Sequence, residues 1–165
     1  MKFIVLIFFC ELFFSCIKKK DETQNQVISI NKDSLQNVLI NVDKSWSDSA
    51  QIKGFNKSRL DFAADNAINM LENSMPLIGK NAISEFASSH SDSSFSIQWK
   101  ALKAEVSDSG DMGFTYGSWE LKTKTPKGTD TIFYGDYLTV WKKQMDNSWK
   151  YLIDGGNETP KAVKL

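Results

Sequence analysis

Over 165 residues, 20 lysines and arginines are balanced by 20 aspartates and glutamates, so the chain is formally neutral, with a pI near 6.6. No predicted face concentrates positive charge, which speaks against nucleic acid as a partner, because that binding relies on counterion release over a basic patch. A single histidine, cysteines only at Cys10 and Cys16, and no phosphate-cradling glycine loop speak against a zinc centre or a nucleotide site.

The N-terminus has its own logic. Lys2 precedes an apolar run over 3–9, and a second apolar stretch ends at Ser15-Cys16. A basic start, a short apolar core and a small residue before the break predict a secretory signal over 1–15. Leu12-Phe13-Phe14-Ser15-Cys16 resembles a bacterial lipobox, which implies cleavage before Cys16 and acylation of that residue. The alternative is an uncleaved membrane anchor, but a span needs about 20 apolar residues. This stretch is shorter and contains Glu11. Residues 16–31, with Lys18-Lys19-Lys20-Asp21-Glu22, are polar and aperiodic and predict a flexible tether. The basic-then-acidic order also resembles surface-export signals of some bacterial lipoproteins; a merely solvated tether explains it equally well. A mature chain beginning at Cys16 has no second cysteine, so the domain is held by its core alone.

Beyond the tether, the spacing of Leu35, Val38, Leu39, Val42, Trp46 and Ala50 predicts one long amphipathic helix, with Asp33 or Ser34 as N-cap. Gly54 ends it. A shorter helix is expected over 57–64, presenting Leu60 and Ala64, followed by a short strand over 67–71 and a turn over 75–79. A third helix over 82–89, capped by Asn81, turns Ile83 and Phe86 inward. The period then changes from 3.6 to 2. Strands are expected over 95–106, 113–123, 131–143 and 148–154, with turns at 107–111, 126–128 and 146–147. In the third strand Leu138 and Val140 lie on one face, and Tyr137, Thr139 and Trp141 on the other. Both faces therefore need cover. Helices followed by antiparallel strands predict an α+β domain with helices on one face of a curved sheet.

Several segments line up in order: Phe62-Ala63-Ala64-Asp65, Pro76-Leu77-Ile78-Gly79, Trp99, and Ser109-Gly110-Asp111 running to Gly117. Gly135-Asp136-Tyr137, Trp141, Trp149-Lys150, Asp154 and Asn157 complete the series. Over roughly residues 33–160 the chain resembles the nuclear transport factor 2-like (SnoaL-like, cystatin-like cone) superfamily, most closely its secreted bacterial single-domain branch. The resemblance implies a domain over 32–160, with 161–165 as a tail. It also implies a cone-shaped, strongly bent antiparallel sheet wrapped around N-terminal helices, with a pocket at the wide end and homodimers formed through the outer sheet face. On this reading Trp99, Thr115, Tyr137, Trp141, Asp154 and Asn157 are expected around the pocket, and no cofactor or metal is expected.

The candidate chemistry is sparse. His90 lies in Ser88-Ser89-His90-Ser91-Asp92, which reads as a solvated loop sooner than as a triad, because triad members come from separated segments oriented by burial. Relatives that isomerise steroids or cyclise polyketides use a pocket Asp or Glu as general base, helped by a hydrogen-bond donor. The acids available for that role are Asp61, Asp65 and Asp154. Asp65 resembles the acid ending the superfamily's second helix, a structural position. Asp154 is the candidate base, against the competing expectation of an ion pair with Lys142 or Lys150. Three readings remain: a membrane-tethered lipoprotein binding a small, partly apolar or amphipathic molecule; an isomerase- or cyclase-like enzyme; and a dimeric envelope protein that binds other proteins.

Overall fold

The computed structural model describes residues 31–165, so the signal segment, Cys16 and nearly all of the tether lie outside the described residues. The long helix forms as α1 (Lys32–Lys53), and its N-cap is Asn31, whose side chain accepts from the Ser34 N–H at 2.9 Å. Asp33 and Ser34 are inside the first turn instead. Leu39, Asp43, Trp46, Ser47 and Ala50 form its buried stripe, spaced to face one side of a 3.6-residue helix. Gly54, at φ +88°, stops α1 and lets α2 (Phe55–Phe62) begin at once.

The next boundary differs from expectation. Ala63 and Ala64 leave the helix and open β1 (Ala63–Asn69), because Ala63 pairs with Tyr151 across the sheet. Helix propensity of alanine yields here to tertiary pairing. The inward side of α2 is Asn56, Ser58 and Arg59, while Leu60 is only half-buried. Asp65 lies exposed on β1, and is not at a helix end. β2 (Leu77–Ile78) pairs with β1, and α3 (Gly79–Ser89) follows, with Ile83 fully buried and Phe86 half-buried. Asn81 is inside α3, which has no side-chain cap.

The remaining strands are β3 (Phe95–Val106), β4 (Met112–Lys124), β5 (Asp130–Lys143) and β6 (Trp149–Thr159). The six strands are ordered β2-β1-β6-β5-β4-β3 in one curled, unclosed sheet, antiparallel except where β1 runs parallel to β6. Irregularities in β1, β3 and the β5–β6 pairing bend it, as bulges do. β6 continues five residues past the expected end. Gly155 and Gly156 pair with Leu138 and Tyr137, and a Cβ on Gly156 would sit 3.0 Å from the Tyr137 Cα.

Trp46 is the centre of the core. It stacks on Tyr151 at 5.0 Å and Phe62 at 5.8 Å, and meets Trp99 and Trp141 edge-on at 5.1 and 6.0 Å. Ser47 Oγ accepts from the Trp99 N–H at 3.0 Å and fixes α1 against β3. The result is an α+β cone, with the helices inside the bend of the sheet. Its outer face bears half-exposed apolar residues on β5 and β6: Leu138, Val140 and Ile153.

Candidate functional site: a cavity inside the cone

A cavity of about 190 Å³ opens between the helices and the concave face of the sheet. Its apolar wall is Trp46, Phe55, Trp99, Trp119 and Tyr137. Met70, Leu71 and Glu72, following β1, form one side, and Gly155, Gly156 and Asn157 of β6 form another. With Glu72 and Asn157, the polar groups on the wall are Arg59, Asn69, Thr139 and Asp154. This combination of a mostly aromatic lining with a few convergent polar groups is the usual constitution of a small-molecule site.

Three strands bring Asp154 and its partners together. Thr139 on β5 and Asn69 on β1 are its direct neighbours in register. Thr139 Oγ1 donates to Asp154 Oδ1 at 2.7 Å, and Asn69 Nδ2 donates to Oδ2 at 2.9 Å. Burial raises the Asp154 carboxyl above its ordinary value, opposed by Thr139, the Arg59 charge and Asn69. The expected ion pair with Lys142 or Lys150 does not form. Lys150 Nζ donates to the Asp61 carbonyl at 2.5 Å, and Asp61 itself pairs with Lys53 at 2.7 Å. The cause is a bulge: Trp141 pairs with Tyr151 but Val140 pairs with Ile153, so Leu152 is extra. That single insertion reverses strand parity, leaving the paired Lys142 and Lys150 on the outer face and turning Asp154 inward.

A second acid lies deeper and is fully buried. Asp43, 0% exposed on α1, accepts from Thr115 Oγ1 at 2.5 Å and from the Tyr137 hydroxyl at 2.9 Å. Thr115 in turn accepts from Trp141 Nε1 at 2.9 Å. Burial pushes the Asp43 carboxyl up to about 6, although the Thr115 and Tyr137 hydrogen bonds favour its charged form. Burial and the adjacent Asp43 likewise raise the Tyr137 hydroxyl well above its ordinary value.

Of the residues expected around the pocket, Trp99, Tyr137, Asp154 and Asn157 line the cavity. Thr115 and Trp141, both fully buried, are one layer behind, in the Asp43 network. Asp43, Trp46, Phe55, Arg59, Asn69 and Trp119 were not among the expected pocket residues, Trp46 being expected only on the apolar stripe of the first helix. Two had a signal: Asp43 interrupts the apolar stripe of the first helix, four residues after Leu39 and three before Trp46, and Arg59 is the chain's only arginine. Neither Asn69 nor Trp119 is distinguished by spacing alone. His90 is exposed and stacks on Phe86 at 3.8 Å, while Asp92 accepts from the Asn56 N–H at 2.8 Å, so the serine-rich loop assembles no triad. Among the described residues no three His, Cys, Asp or Glu side chains converge to hold a metal.

No family model matches the sequence, and no curated protein matches it. Solved structures do. A ketosteroid isomerase-like protein from Erwinia carotovora superposes with a TM-score of 0.62 at 15% identity, covering 75% of this chain and 96% of that one. A nuclear transport factor 2-like superfamily protein from Salmonella enterica gives 0.60 at 12% identity, covering 78% and 94%. A putative calcium/calmodulin-dependent protein kinase II association domain from Xanthomonas campestris gives 0.60 at 15% identity, covering 76% and 88%. At such identities the likeness is one of fold. The chain has the nuclear transport factor 2-like fold.

Proposed function

We propose that this chain is a lipid-anchored envelope protein whose nuclear transport factor 2-like domain binds a small, partly apolar molecule inside its cone. The carrying observation is the cavity itself: an aromatic wall of Trp46, Trp99, Trp119 and Tyr137 facing the polar cluster of Asn69, Thr139 and Asp154. Side chains that only filled a core would not leave about 190 Å³ beside a carboxyl. Anchoring rests on the sequence Leu12-Phe13-Phe14-Ser15-Cys16 and the charged tether after it. Metabolic labelling with a palmitate analogue tests that part: Cys16→Ala should abolish labelling and release the protein from membranes, and persistent acylation would refute the anchor. The binding part is tested by mass spectrometry of small molecules released when the purified protein is denatured. A stoichiometric small molecule supports the reading. An empty protein that also ignores a fragment library counts against it.

A second reading has one specific support. Asp154 is a half-buried carboxyl on the cavity wall, with no lysine partner among the described residues and burial raising its affinity for a proton. Such a group suits proton transfer to or from a bound carbon acid, and the ketosteroid isomerase-like neighbour shares the fold. Asp154→Asn keeps the shape and removes the acid. Loss of turnover with retained binding would favour an isomerase- or cyclase-like enzyme; intact turnover would exclude Asp154 as its base. The reading extends to a homodimer through the outer face, where Leu138 is 44% and Ile153 36% exposed. Sedimentation equilibrium checks it, and a monomer across the micromolar range would remove it.

A further inference from the structure

Arg59 stands out among the buried groups. It is only 5% exposed, and it lines the cavity. Among the described residues its Nε and Nη1 have no hydrogen-bond acceptor. Its guanidinium is held instead by aromatic faces, 4.4 Å from the Phe55 ring centroid and 5.7 Å from that of Phe86. Asp154 and Asp92 are the nearby acids, but neither makes a hydrogen bond or ion pair with it: the Asp154 oxygens are taken by Thr139 and Asn69, one Asp92 oxygen by the Asn56 N–H, and the other Asp92 oxygen is itself buried without a partner. Asn69 Oδ1, also on the cavity wall, is buried without a partner, as are Asp92 Oδ1 and the Tyr151 hydroxyl. Buried donors left without acceptors are costly, more so on a charged group, and native structures retain few of them.

We infer that the cavity takes a small carboxylic acid, its carboxylate against Arg59 and its apolar body against Trp46, Trp99 and Trp119. This rests on the reading of the cone as a ligand site, and names the ligand's class. A carboxylate provides the acceptors that the guanidinium lacks, in the planar arrangement that arginine matches best. One cationic group suits a monoanion better than a phosphate dianion. Asp154 and Asp92 act on the Arg59 charge from a distance, and neither supplies an acceptor to its Nε or Nη1. Size sets the rest. An apolar cavity of about 150 Å³ holds benzene, so about 190 Å³ admits an acid of benzoate or phenylacetate dimensions.

The test compares charged and neutral isosteres on the intact protein by titration calorimetry, with benzoate and phenylacetate against benzyl alcohol and benzamide. The acids should bind at least about tenfold more tightly than the neutral compounds, as expected of a desolvated charge-assisted pair. Arg59→Met should abolish that preference while leaving benzyl alcohol affinity within about threefold of wild type, by the same scale. Should Arg59→Met fail to fold, the wild-type comparison still decides. Equal or tighter binding of the neutral compounds would overturn the assignment of an acid while leaving the ligand-site reading intact. Binding of none of the four would overturn both.

Discussion

Replacing Asp43 by asparagine isolates a buried charge whose effect on stability has a definite sign. The Asp43 carboxyl is raised from an ordinary 3.8 to about 6 by burial, and the side chain is 0% exposed. Between these values the folded state holds a proton that the unfolded state has released, so stability must fall as pH rises through the window. Well below pH 3.8 both states are protonated and Asp43 contributes no penalty. Above its folded pKa both are ionised and the full penalty is present. A shift of about two units, at 1.36 kcal/mol each, makes that penalty about 3 kcal/mol. The Asp43→Asn side chain carries no charge at any pH, and the Tyr137 hydroxyl can turn to accept from its amide, so the packing survives. Urea unfolding of both proteins between pH 4.0 and 7.5, followed by tryptophan fluorescence, measures the difference. The variant should gain about 3 kcal/mol on wild type across that range. Asp154, raised in the same direction, titrates in both proteins and largely cancels. Asp108, Asp111 and Asp146 are held below their ordinary values by Lys32, Ser109 and Ser148 respectively, so their contributions are lost only on the acid side of this window. A stability gap constant with pH would refute the reasoning.

Two further perturbations test the architecture around the cavity. Gly135→Ala places a Cβ inside the van der Waals envelope of the Trp119 ring and the Asn157 carbonyl, while Trp119 is pinned by its Nε1 bond to the Asp136 carbonyl at 3.0 Å. Overpacking of this kind should cost about 3 kcal/mol in denaturant titration; an unchanged midpoint would mean that Trp119 is free to move. Trp46→Ala removes the ring shared by five aromatic neighbours and its 3.2 Å bond to Ser58 Oγ, and should cost about 3–5 kcal/mol. A loss under about 1 kcal/mol would mean that the core recloses without it.

Those perturbations also mark how far the sequence could be read. Strand periodicity located β3 to the residue and β4 and β5 to within one, because alternating apolar and polar positions over a dozen residues leave little choice of register. Short elements were harder. Ala63 and Ala64 have helical preferences, and only the distant partner Tyr151 makes them a strand. Strand parity placed Tyr137 in the site but could not place Asp154, which only the family resemblance assigned to the pocket. Counting by twos puts Lys150 and Asp154 on one face, and the extra Leu152 separates them. That bulge has no sequence signature here, yet it turns Asp154 from a surface ion pair into a cavity wall. Arg59 was missed for a different reason. A charged residue on a short helix is ordinarily solvated, and only the rings of Phe55 and Phe86 allow this one to be buried.

The most direct measurement of the central claim, that the cone is a ligand site, follows the five indole N–H resonances of the labelled protein during a small-molecule fragment titration. Trp46, Trp99 and Trp119 line the cavity, whereas Trp149 lies outside its lining, in a separate recess with Val38 and Val42 of α1. A binding fragment should shift the first three saturably and leave Trp149 in place. Fragments that move Trp149 alone, or no indole at any concentration, would contradict the account.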